Sequence, residues 1–162
     1  MPTLVLLIFL GLAQVSDTGT VVGIVKLPNG GKSTQAARVV LLPPKYTEVW
    51  NKQVQQRLDN YWELFKPEVF ANKNNFADID RMAHLEAMNS VTSTMRRELG
   101  SGAALFIKQT SPAGQFEFQG IPFGTYQILV EASSEGRDVV WSRSVEVLSN
   151  IPVFVDLGKP VS

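Results

Sequence analysis

The stretch from Thr110 to Ala132, TSPAGQFEFQGIPFGTYQILVEA, most constrains the fold of this chain. Phe116 and Phe118 alternate with polar residues, which places both rings on one face of a strand. The segment 120–124, GIPFG, then interrupts the strand, because glycine tolerates positive φ and proline has no N–H for a ladder. The alternation resumes with apolar residues at positions 126, 128 and 130. We therefore predict a β-hairpin with an apolar inner face.

Five further segments carry strand signals, with turn residues between them. They are Thr20–Leu27, Arg38–Leu42, Ala103–Gln109, Asp138–Leu148 and Ile151–Leu157. Gly23 indicates a bulge or a close backbone approach in the first strand. Arg143 falls on the apolar face of its strand, which indicates a bulge or an edge position, and Pro152 suits an edge. Seven short strands with such turns are typical of a β-sandwich.

The segment 47–99 has helical character and interrupts this pattern. A first helix is expected over Thr47–Phe65, with Thr47 as N-cap and Lys66-Pro67 as the stop. A second is expected from Asn75 to Leu99. Its apolar residues form two stripes on different sides, so we expect either a break near residues 84–88 or two packing partners.

The motif Gly114-x-Phe116-x-Phe118-x-x-Ile121-Pro122-x-Gly124-x-Tyr126 resembles the signature of carboxypeptidase regulatory-like domains. The likeness covers residues 20–45 and 101–158. It implies a mainly β protein, a seven-stranded transthyretin-like Greek-key β-sandwich, here interrupted by a two-helix insertion over about residues 46–100. Members of this family are mostly non-catalytic modules of exported bacterial proteins, and related folds include starch-binding domains. The resemblance therefore implies a structural or binding role and carries no enzymatic activity.

The N-terminus bears on domain organisation and location. The apolar run Leu4–Leu12 ends at Gly11-Leu12-Ala13, where Gly11 and Ala13 are small. This pattern resembles the apolar core and cleavage site of a secretory signal peptide. No Lys or Arg precedes the run, and a buried N-terminal strand is the alternative. We expect residues 1–15 to be a signal peptide and residues 16–162 a single domain that is secreted or periplasmic, without an integral membrane span after cleavage.

Charge and cysteine usage exclude several classes of function. Lys plus Arg and Asp plus Glu both number 15, so the formal net charge is zero, and no basic stripe is present for nucleic acid. The chain has no cysteine, which excludes disulfides, thiolate nucleophiles and Cys-ligated metals. We expect no cofactor and no metal.

The catalytic motifs in the sequence are incomplete. Gly31-Lys32-Ser33 resembles the end of a phosphate-binding loop, but Lys26 stands where the first glycine belongs. His84 is the single histidine and has neither an HExxH motif nor a nucleophile elbow beside it. Three acidic residues on or near the first helix, Asp59, Glu63 and Glu68, lie on its polar side and are interpreted as a solvated face with surface pairs to Arg57. We therefore expect no catalytic residue.

The aromatic residues of the first helix are the remaining candidates. Trp50, Tyr61 and Trp62 lie on one stripe and could form a contact for a protein partner or a stacking platform for a polysaccharide. The alternative is that this stripe buries the helix against the rest of the domain. The first hypothesis is a non-catalytic module for structure or protein–protein contact, and the second is carbohydrate binding.

Overall fold

The computed structural model describes residues 17–27, 36–134, 136–157 and 160. The predicted signal segment 1–15, the Pro28–Gly31 turn and the Gly31-Lys32-Ser33 motif lie outside these residues. The strands are β1 (Thr18–Ile24), β2 (Arg38–Leu42), β3 (Ile107–Gln109), β4 (Gln115–Pro122), β5 (Gly124–Ser134), β6 (Arg137–Val147) and β7 (Val153–Val155). The helices are α1 (Pro44–Leu64), α2 (Pro67–Ala71), α3 (Lys73–Leu99) and a 3₁₀ helix, Gly100–Leu105.

The seven described strands form two sheets. Sheet A has the order β4-β1-β7, and sheet B has the order β3-β2-β5-β6. β1 lies in the middle of sheet A, antiparallel to β4 and parallel to β7. The inward side chains of both sheets meet in one apolar cluster, here called the sandwich core, whose largest members include Phe118, Ile128 and Trp141.

The predicted hairpin is wrong, although both of its strands exist. β4 pairs with β1 in sheet A, whereas β5 pairs with β2 and β6 in sheet B, so residues 122–124 form an arch between the sheets. Gly120 has a φ of 68° beside a register shift in the β1–β4 pairing. Such a bulge bends a strand. The Tyr126 hydroxyl donates a hydrogen bond to the Pro122 carbonyl at 2.7 Å and fastens the arch.

The helical segment connects two neighbouring strands of sheet B. β2 and β3 are antiparallel neighbours, with Val40 opposite Ile107, and the helices of the described residues lie in the connection between them. Helices are thus present where the helical segment was predicted, with α2 as an additional short helix. The third strand begins at Ile107, four residues after the predicted start at Ala103, because Gly100–Leu105 is a 3₁₀ helix.

The helix ends follow from local chemistry. α1 begins at Pro44, since proline at the first helical position loses no hydrogen bond. Thr47 is thus not the N-cap, and its hydroxyl instead donates to the carbonyls of Leu42 and Pro43. Asn72 caps α3 by accepting from the Asn74 backbone N–H at 3.0 Å. α3 runs without a break to Leu99, so of the two alternatives for its stripes, two packing partners is correct.

α1 and α3 cover the outer face of sheet B. A second apolar cluster, here called the helix–sheet core, joins them to Val40, Leu42 and Leu129. Its buried helical members are Tyr46, Trp50, Ala87, Met88, Val91 and Met95. Arg38 on β2 adds a polar tie, because it pairs with Glu131 on β5 and donates to Asn89 Oδ1 on α3 at 2.6 Å. The outer face of sheet B is thereby part of the interior.

The remaining strands overlap the predicted segments but differ at their ends, since β7 is limited to Val153–Val155 and β1 ends at Ile24 and not at Leu27. β6 and β7 are edge strands of their sheets, as Arg143 and Pro152 indicated. The Arg143 Nε donates to the Leu157 carbonyl at 2.9 Å, which connects the edge of sheet B to the segment after β7. No helix among the described residues is long and apolar enough to cross a membrane.

Candidate functional site

The three predicted contact residues do not form one surface. Trp50 is 6% exposed and belongs to the helix–sheet core, whereas Trp62 is 61% exposed. Along α1 the two residues are separated by ~18 Å at the rise of an α-helix. The prediction of a shared aromatic platform is therefore wrong, and the alternative of a buried stripe holds only for the N-terminal half of α1.

Trp50 is part of the scaffold. Its ring contacts that of His84 on α3, with centroids 5.6 Å apart. The His84 Nδ1 lies 2.8 Å from the Asp80 carbonyl oxygen, which fixes the ring on its own helix. Both rings therefore serve the packing of α1 on α3.

Tyr61 takes part in a polar bridge between the helices. Its hydroxyl donates to Glu86 Oε1 at 2.7 Å, and the Arg57 Nε donates to Glu86 Oε2 at 3.0 Å. Burial first, and then this hydrogen bond and the carboxylate charge, raise the pKa of Tyr61 to about 12. Arg57 thus pairs with α3 and not with the acidic residues of its own helix.

The far ends of α1 and α3 extend beyond the helix–sheet core. The last α1 residue in contact with that core is Val54, and the first α3 residue in it is Ala87. The Gln55–Leu64 segment continues α1 for ~15 Å past this point. We call residues 55–84 the helical arm. Within it, Ile79 and Ala83 are buried.

Large apolar side chains are exposed at the end of this arm. The arm tip is defined by Trp62, Leu64, Phe65 and Phe76, which are all exposed. The rings of Tyr61 and Phe65 contact one another at a tilt of 40°, with centroids 5.9 Å apart. Charged residues of both signs, Glu63, Lys66, Glu68 and Lys73, occur in the same stretch of the chain. Exposed apolar side chains together with charged ones are the usual composition of a protein-binding surface.

A second exposed surface lies on the outer face of sheet A, which the helices do not cover. Val22, Glu117 and Phe154 face outward in one row across β4, β1 and β7, since Val22 is opposite both of the others. Together with Ile24 and Gln115 they line an open groove of about 410 Å³, here called the sheet A groove. Phe154 is 66% exposed.

The polar side of this groove is preorganised. The Gln119 Nε2 donates to Glu117 Oε1 at 2.8 Å, so the carboxylate is held on the face of the sheet. The groove escaped the sequence predictions because the last strand was assigned from the alternation of residues 151, 153, 155 and 157. A phenylalanine in the outward phase of that strand was the available signal.

Metal-ligand geometry is not found in the part of the chain that the structure describes, where no group of three or more His, Asp or Glu side chains could hold an ion. His84 contacts one carboxylate, that of Asp80, at 3.6 Å.

Comparison with known proteins gives weak likenesses. No protein-family model matches the chain, and no curated protein matches it. A proposed carbohydrate-binding protein from Pseudomonas aeruginosa is similar at 18% identity, with 88% of this chain and 90% of that chain covered and a TM-score of 0.37. The pilus backbone of Streptococcus pneumoniae is similar at 12% identity over 80% of this chain and 34% of that chain, with a TM-score of 0.23. Both TM-scores are too low to assign a shared fold or function.

Proposed function

We propose that this chain is an exported, non-catalytic module of the transthyretin-like, carboxypeptidase regulatory-like class that contacts a protein partner through its arm tip. The class rests on the motif from Gly114 to Tyr126 and on the placement of its apolar residues in the sandwich core. Export rests on the apolar run Leu4–Leu12. The non-catalytic role rests on the incomplete catalytic motifs and on the packing role of His84.

The observation that carries the proposal is the contrast along α1. One aromatic stripe begins buried at Trp50 and ends exposed at Trp62. Only the buried half of that stripe is needed to hold the helix on sheet B. Exposing Trp62, Leu64 and Phe65 to water is unfavourable, by ~25 cal/mol for each Å² of apolar surface, unless a partner covers them.

The test places a photo-crosslinking amino acid at position 62 or at position 76 in the organism that makes the protein. We expect each of these two variants to give a crosslink to one discrete protein. The matched control is Gln56, an exposed polar residue on the same helix. Absence of crosslinks at 62 and 76, or identical crosslinks at 56, would refute a specific contact at the arm tip.

A double substitution supplies the quantitative arm of this test. Trp62→Ala with Phe76→Ala removes two exposed rings, so the fold should keep its stability. We expect the complex to dissociate on native electrophoresis, because buried aromatic anchors dominate such interfaces. Phe154→Ala, on the opposite sheet, should leave the complex intact.

A second candidate function, polysaccharide binding, is favoured by a different observation. The sheet A groove combines an exposed ring with amide and carboxylate side chains. Trp50, one of the three aromatic residues first considered for that function, is buried and does not support it.

A further inference from the structure

The sheet A groove lies on an uncovered face. α1 and α3 pack on sheet B, and sheet A has water-exposed side chains on its outer side. On β1 the inward positions are Gly19, Val21 and Gly23, so Val22 and Ile24 face outward. On β4 the outward positions include Gln115 and Glu117. The face therefore has an apolar middle strand and a polar edge.

The third strand adds an aromatic ring at the other edge. Phe154 on β7 is opposite Val22, which is in turn opposite Glu117. Neighbouring strands are ~4.8 Å apart, so the ring and the carboxylate stand ~10 Å from one another across the sheet. That span suits an extended ligand with an apolar face at one end and hydrogen-bonding groups at the other.

The charge of the groove narrows the ligand chemistry. Glu117 is the only charged residue among those that line it, and no cationic side chain is present there. Anionic ligands such as phosphates and uronates would meet the carboxylate without a compensating charge. Gln115 and Glu117 offer both donors and acceptors, as hydroxyl groups require.

We propose that the sheet A groove binds a segment of a neutral polysaccharide. One sugar ring lies against Phe154 with its C–H face, and the chain continues over Val22 and Ile24. Its hydroxyl groups hydrogen-bond to Gln115 and Glu117. This inference rests on the second candidate function and assigns a site to it.

Affinity electrophoresis with defined polysaccharides tests the site. The probes are an α-glucan, a β-glucan and a galactomannan as neutral chains, and a polygalacturonate as the anionic chain. We expect retardation by at least one neutral probe and none by the anionic probe. Phe154→Ala should weaken the retarding interaction about tenfold, which corresponds to ~1.4 kcal/mol, because the sugar ring loses its aromatic contact.

Matched variants separate a local effect from a global one. Phe154→Trp keeps a ring on the groove and should bind at least as tightly as the original chain. Phe76→Ala, an exposed phenylalanine on the arm, should bind unchanged. Glu117→Gln keeps the shape and the hydrogen-bonding capacity and should retain binding within a few fold. Equal unfolding midpoints for all four variants would confirm that the fold is intact.

Each contrary outcome refutes a different statement. If binding survives Phe154→Ala and is lost in Trp62→Ala, the sheet A groove is not the binding site. Polysaccharide binding would then be located at the arm. No response to any neutral probe would overturn both the site and the second candidate function. The crosslinking result at position 62 is independent of these outcomes, because the helices pack on sheet B whereas the groove is on the outer face of sheet A.

Discussion

At the scale of single residues, Gly23 shows how closely the sandwich core is packed. A Cβ at this position would lie 2.3 Å from the Phe116 ring, far inside van der Waals contact. The sequence predicted a bulge or a close backbone approach here, and the close approach is correct. The tip of the Phe116 ring can approach β1 this closely because Gly23 has no side chain.

Gly23→Ala should therefore destabilise the protein. The added methyl must displace a buried ring, and overpacking of this kind costs ~1–3 kcal/mol. Urea unfolding of both chains measures the difference. Gly102→Ala is the matched control, since its Cβ would meet only Leu99 at 3.9 Å and should change stability by less than ~1 kcal/mol.

Because of Tyr61, we expect the stability of the protein to decrease at alkaline pH. Its pKa is raised to about 12 by burial and by Glu86, so the folded chain holds this proton more tightly than the unfolded chain. The contribution to stability is complete below the ordinary tyrosine pKa of ~10 and is lost as pH rises from there through about 12. Glu86→Gln should lower the pKa of Tyr61.

Tyrosinate absorbance during an alkaline titration measures this pKa, and Tyr61→Phe identifies which tyrosine responds. Tyr46 and Tyr126 are the other two, and burial raises the pKa of both as the first cause. A Glu86→Gln titration that superimposes on that of the original chain would contradict the bridge between α1 and α3.

At the scale of elements, α3 has two kinds of environment on one continuous helix. Met88 is fully buried in the helix–sheet core, whereas Met82 is 42% exposed on the arm. The two residues are both methionines on the same helix, so substitutions at these positions can be compared directly.

Met88→Ala should cost ~2–5 kcal/mol in the free energy of unfolding, because it leaves a cavity between α3 and sheet B. Met82→Ala should change it by less than ~0.5 kcal/mol. Chemical denaturation followed by tryptophan fluorescence gives both values. Equal losses for the two variants would show that the arm is as tightly packed as its base.

Sequence patterns predicted the elements well and their partners poorly. Arg38–Leu42 was predicted to the residue, and α3 was predicted within two residues at its start and correctly at its end. Alternation tells which face of a strand is buried, but both sheets bury a face in the same core. The residues from Phe116 to Val130 therefore fit a hairpin and an arch equally well.

The same limit applies to the candidate surfaces. Helical periodicity puts Trp50 and Trp62 on one stripe, yet it contains no information on where the covering sheet ends. That boundary is set by the length of β2 and β5, which lie elsewhere in the chain. The sheet A groove depends on three strands, and the pairing of β1 with β7 had no local signal.

At the scale of the whole molecule, the helices cover an apolar face of the sandwich that would otherwise be exposed to water. They cover Val40, Leu42 and Leu129, which are fully buried on the outer face of sheet B. Without the helices these three side chains would be exposed to water.

Replacement of residues 43–105 by a short turn should be sterically possible, because β2 and β3 are adjacent there. We expect the shortened chain to bind a hydrophobic dye and to aggregate, since an apolar patch is uncovered. Adding Val40→Thr, Leu42→Gln and Leu129→Gln should restore solubility. A soluble, dye-negative shortened chain without these changes would refute the covering role of the helices.

The central position of β1 has a consequence for the order of assembly. β1 pairs with β7, and Val21 stands beside Val153. β5 and β6, by contrast, are joined by a short turn and can associate as soon as both exist. Closing the long loop between β1 and β7 is entropically expensive, and non-local strand pairing is slow. Sheet A is therefore completed only after residues 153–155 have been synthesised, and in a nascent chain that lacks them β1 has no partner on its β7 side.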